Sequence, residues 1–79
     1  MNIAILNLHR DIDKKTLEKL FTSYGKVESC DIVMDKNTRK SKGFGFVVMN
    51  DEIEATKAIL GLHGEVVNNQ KIRVKESSQ

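Results

Sequence analysis

The sequence predicts an α+β fold in the order β-α-β-β-α-β, a four-stranded antiparallel sheet with two helices on one of its faces. Three observations predict it. Short apolar stretches of strand character alternate with two segments whose apolar residues recur at helical spacing. Their order, joined by right-handed crossovers, puts both helices on the same side of the sheet. The third strand, residues 42–49, is apolar on both faces, with Gly43, Gly45, Val47 and Met49 pointing one way and Lys42, Phe44, Phe46 and Val48 the other. Two helices cover only one face of a small sheet, so the other is open. Covering the glycine side leaves two phenylalanines and a lysine in water, an arrangement that calls for a ligand.

The elements follow in order. Residues 3–8, Ile-Ala-Ile-Leu-Asn-Leu, read as a buried central strand. Asp13 is an N-cap for a helix to about residue 24, with Leu17, Leu20, Phe21 and Tyr24 on one stripe and Gly25 as a left-handed C-cap. Residues 27–34 form a second strand, with Cys30, Ile32 and Met34 toward the core and Asp31 and Val33 outward. Residues 35–41 are polar, basic and aperiodic, and are expected to form a mobile loop. After the third strand, Asn50 or Asp51 caps a second helix, and Asp51 with Glu54 suits a capping box. Its stripe is Ala55, Ala58, Ile59 and Leu62, ended by Gly64. Val66 and Val67, a turn at Asn68-Asn69 and residues 71–75 form a hairpin into the last strand, with Ile72 and Val74 inward. Residues 77–79 are expected to fray. The first and third strands are then central.

Seventy-nine residues without proline make one domain, its core spanning about residues 3–76. A net charge of +2 says little about partners, whereas the placement of charge says more. Lys36, Arg39, Lys40 and Lys42 cluster into the third strand, and Lys71, Arg73 and Lys75 alternate along the last. Acids gather instead at the two helix starts, where the helix dipole favours them. The chain shows neither a membrane-length apolar run nor a leader, and a single cysteine fits a reducing compartment, so a cytoplasmic location is expected. Cys30 reads as a small core hydrophobe. His9 and His63 lack metal-ligand spacing and read as surface residues. No nucleophile–base pairing, phosphate loop or dinucleotide motif is visible, so neither catalysis nor a cofactor or metal is expected.

Residues 42–49 match the pattern K/R-G-F/Y-G/A-F-V-x-F/Y at every defined position but the last, where Met49 replaces an aromatic. At average residue frequencies the first six positions coincide by chance roughly once in several million starts. The chain thereby resembles the RNA recognition motif family, from about residue 3 to 76. The family's hexapeptide is found at residues 3–8, ending in Asn-Leu, and residues 28–36 and 38–43 are similar to its second strand and basic loop. The resemblance implies a ferredoxin-like fold and single-stranded RNA as partner. Lys42 is expected to meet phosphate, and Phe44 and Phe46 bases and sugars. Lys40 and Arg39 in the loop and Lys71, Arg73 and Lys75 on the far edge support the backbone, Arg73 foremost. Asn7 is expected to cap a turn rather than touch RNA.

Three positions depart from the pattern. Ala4 stands where the family usually carries a stacking ring, Asp31 puts a carboxylate on the same face, and Met49 is a packing variant. The expectation is a monomer with modest affinity and low sequence preference. An alternative reading is a protein-interaction module docking a peptide or second copy on Ala4, Leu6, Val33 and Val48 beside the rings. A small enzyme or metal carrier is disfavoured by the lone cysteine and the missing anion-binding loop.

Overall fold

The computed structural model describes residues 1–77. It runs β1 (Asn2–Leu6), α1 (Lys14–Thr22), β2 (Ser29–Met34), β3 (Ser41–Val48), α2 (Glu52–Leu62), β4 (Val66–Val67), β5 (Gln70–Lys71) and β6 (Arg73–Glu76). The main sheet has the order β2-β3-β1-β6, every neighbour antiparallel, so β1 and β3 are central as expected. Ile3, Ile5, Val47, Ile72 and Val74 join Leu17 and Phe21 of α1 and Ala55, Ala58 and Leu62 of α2 in one buried cluster. Both helices therefore lie on one face, and the α+β reading holds.

Each helix begins at an aspartate. Asp13 Oδ1 accepts the Thr16 N–H at 2.8 Å and Asp51 Oδ1 the Glu54 N–H at 3.0 Å, satisfying donors that a first turn leaves unpaired. Gly45 lets α1 come close. A Cβ there would stand 2.5 Å from the Asp31 carbonyl and 3.2 Å from Leu17 Cδ2. Leu17 thus fills the gap that a side chain on the central strand would have occupied.

Several expectations fail, each through a contact between distant segments. α1 stops at Thr22, with Ser23 as a right-handed C-cap, and Gly25 is not left-handed. Gly25 is required instead because Glu54 lies where its Cβ would be. The Glu54 carboxylate accepts the Lys26 N–H at 3.2 Å, so it binds across to the connection between α1 and β2 rather than closing a capping box. Met34 is not in the core but 50% exposed, because a β-bulge between Ile32 and Met34 shifts the register and breaks the alternation.

The segment 35–40 is a hydrogen-bonded turn rather than a loose loop. Asp35 N–H donates to the Lys40 carbonyl at 2.7 Å, and its Oδ1 accepts from Asn37 and Thr38 at 2.8 and 3.0 Å. The last strand is split. Lys71 pairs with Val66 in a two-stranded ribbon around the left-handed pair Asn68-Asn69, and only residues from Arg73 onward pair with β1. Ile72 makes the break by bonding to Glu65 and Gly64. Of the three residues expected to fray, Ser77 donates to the Asn2 carbonyl at 2.7 Å, and the other two lie outside the described residues.

Candidate nucleic-acid interface

The strand register arranges the open face in rows. Asp31, Phe46, Ala4 and Lys75 lie side by side across the four strands, and Phe44, Leu6 and Arg73 form the next row. Phe46 is 39% exposed and Phe44 half-buried. Their ring centroids are 6.1 Å apart with planes at 87°, the edge-to-face contact that two aromatic quadrupoles prefer. Cross-strand spacing puts Lys75 about 10 Å from Phe46, and Arg73 as far from Phe44. The rings thus occupy the centre of the face, with cations along the β6 edge.

At the opposite corner, Gly43 takes φ +86°, a left-handed conformation that favours glycine, and its N–H donates to Ser41 Oγ at 3.0 Å. Ser41 is buried, while Lys42 is exposed at the mouth of the face. Lys42 also lies close enough to Asp35 to help lower that carboxyl below its ordinary range, although the N–H groups of Thr38 and Asn37 do most of it. Arg39 and Lys40 are exposed on the same turn. Among the described residues, none of Arg39, Lys40, Lys42, Lys71, Arg73 and Lys75 makes an ion pair, so their charges are available to an anion. Asp31, by contrast, sits 3.8 Å from Lys14 Nζ at the β2 edge.

Not every residue expected at the site is on the sheet itself. Lys71 is displaced onto the ribbon, where its carbonyl accepts from Asn7 Nδ2 at 2.8 Å while Gln70 Nε2 donates to the Asn7 carbonyl at 3.1 Å. Asn7, at φ 59°, ties the end of β1 to the ribbon instead of capping a local turn. His63 is exposed, yet its Nδ1 accepts the outward Val74 N–H at 3.0 Å and covers part of the β6 edge.

Beyond the Phe44 end of the face lies a cleft of about 360 Å³, lined by Asn7, His9, Arg10, Lys42 and Gln70 among others. Sequence reasoning missed Arg10 and Gln70, because nothing in their spacing links the connection after β1 to the distant ribbon.

The model of the RNA recognition motif family matches residues 3–73. The chain belongs to that family. It is 41% identical over 77 residues to the 28 kDa chloroplastic ribonucleoprotein of Spinacia oleracea, covering 98% of this chain and 33% of that protein. It therefore spans about a third of that relative's length. Among solved structures, the crystal structure of RNA binding protein PG1 superposes with a TM-score of 0.96 at 38% identity, covering 100% of this chain and 95% of that one. A Sxl-lethal protein/RNA complex superposes with a TM-score of 0.94 at 29% identity, covering 99% of this RNA recognition motif and 47% of that chain.

Proposed function

We propose that this RNA recognition motif binds single-stranded RNA, without catalysis, on the sheet face that the helices leave open. Phe44 and Phe46 stack on unpaired bases, recovering roughly 1–3 kcal/mol per base. Lys42, Lys40 and Arg39 neutralise phosphates at one corner, while Arg73, with Lys75 and Lys71, does so along the other edge. Arg73, in the row of Phe44, is placed to hold backbone or a base edge. With Ala4 where a third ring would stand, affinity is modest and sequence preference low.

One observation carries the reading: two rings in mutual contact lie on the face opposite both helices, flanked by cations that make no ion pair among the described residues. Kinship supports it, since the PG1 neighbour is an RNA binding protein and the Sxl-lethal neighbour holds RNA. The spinach relative is chloroplastic, and the chemistry of stacking is the same in cytoplasm or plastid. The chain acts as a monomer, residues 1–79 forming one binding unit with its core at about 3–76.

The test is the double variant Phe44→Ala/Phe46→Ala, titrated with a ten-nucleotide single-stranded RNA by fluorescence anisotropy. Loss of two stacking terms weakens binding at least about 30-fold, with the amide spectrum of a folded protein retained. Unchanged affinity would overturn the proposal. Wild-type affinity also falls steeply with salt, as counterion release requires and apolar docking does not.

A further inference from the structure

Two clefts of equal volume, about 360 Å³ each, adjoin the sheet, and charge separates them. The one at the β2 edge sets Asp11, Asp13 and Asp31 against Arg10 and Lys14, and would repel a polyanion. The one beyond Phe44 has no carboxylate among its lining residues and carries Arg10 and Lys42. A side chain on Gly43 would meet only the Leu8 carbonyl, at 3.2 Å, and otherwise project into open space, so a glycine keeps this cleft open. Asn7, Gln70 and His9 are held by hydrogen bonds. Gln70 Nε2 donates to the Asn7 backbone carbonyl and Asn7 Nδ2 to the Lys71 carbonyl, and neither side-chain oxygen has a partner among the described residues. His9 Nδ1 accepts the Asp11 N–H at 3.0 Å, which leaves Nε2 as the protonated nitrogen of the neutral ring.

We propose that this cleft is a nucleotide subsite separate from the ring pair. It takes the nucleotide that runs off the Phe44 end of the sheet, with phosphate between Arg10 and Lys42 and a base edge against the amides of Asn7 and Gln70. The two amide oxygens are acceptors, so they favour a base that presents an exocyclic amino group. Its volume falls within the range of small-ligand pockets. The inference rests on the RNA-binding reading above and adds to it a terminal position with a base preference of its own.

The experiment compares a four-nucleotide RNA with the same RNA lengthened by two nucleotides at the 5′ or the 3′ end, titrated against wild type, Arg10→Ala and Phe44→Ala/Phe46→Ala. Arg10 is exposed and makes no ion pair among the described residues, so its removal spares the fold. Wild type gains about tenfold in affinity from one of the two extensions. Arg10→Ala loses that gain, binds the four-nucleotide RNA as before, and lowers the salt slope on the longer RNA by about 0.7. In the wild type, amide shifts at Asn7, His9, Arg10 and Gly43 respond to the lengthened RNA and not to the short one. Should Arg10→Ala keep the full gain, the cleft is no subsite, while RNA binding by the rings stands. Should the ring variant bind the short RNA like wild type, the underlying function falls and the subsite with it.

Discussion

Ala4 on β1 is the direct cross-strand partner of Phe46 on β3, with Lys75 on its other side, and it is only 6% exposed. The small side chain is covered by its neighbours at the centre of the open face. Directly opposite side chains in an antiparallel pair lie about 5 Å apart, near enough for a ring at position 4 to extend the platform of Phe46.

Ala4→Tyr is therefore expected to tighten RNA binding by about tenfold, one stacking contribution, without displacing anything from the core. Anisotropy titration at fixed salt reads the gain. A folded variant with unaltered affinity would mean that RNA does not cross this row.

Gly45→Ala is expected to destabilise the domain by about 1–3 kcal/mol, because the new methyl would press on the Asp31 carbonyl and on Leu17. Urea unfolding measures it. A midpoint equal to wild type would show that α1 does not depend on this gap for its seat on the sheet.

Acid should unfold the protein partly through two exposed turns. Asp13 is held below its ordinary range mainly by bonds from Thr16, and Asp35 mainly by the Thr38 and Asn37 N–H groups. A carboxyl depressed in the folded state contributes stability above its unfolded pKa and loses it as pH falls through the folded one. Urea midpoints are thus expected to hold from pH 7 to 5 and to decline below about 4. Asp35→Asn and Asp13→Asn each make that decline shallower, and an identical acid profile in both variants would count against these turns.

Cys30 should be chemically quiet. Burial, helped by Glu18 and Asp31 and opposed by Lys14, pushes its thiol up to about 11. At pH 8 alkylation by iodoacetamide is expected to run about a hundredfold slower in the native protein than in concentrated urea. Comparable rates in the two states would show the site to be open.

How legible the molecule was depends on the range over which each feature is decided. The faces of β3 followed from alternation, since neighbouring residues on a strand must point to opposite sides, and with both helices on the glycine face that exposed Phe44 and Phe46. Asp13 was legible as a cap for the same local reason, and the second cap was narrowed to Asn50 or Asp51, of which the structure uses Asp51. The outward turn of Met34 was not, because a bulge is a property of two strands and leaves each with an ordinary sequence. Gly25 looked like a helix terminator, yet its purpose is to admit Glu54, a residue far along the chain. Arg10 and Gln70 were silent until the fold set the ribbon beside the connection after β1.

The sequence by itself determined the order of elements, the two helix starts and the pair of rings on one face, because each depends on spacings within a few residues of backbone. Tertiary structure alone decided where the register slips, which glycines serve close approach and which polar groups share a cleft. Those depend on distances between segments that no local period encodes.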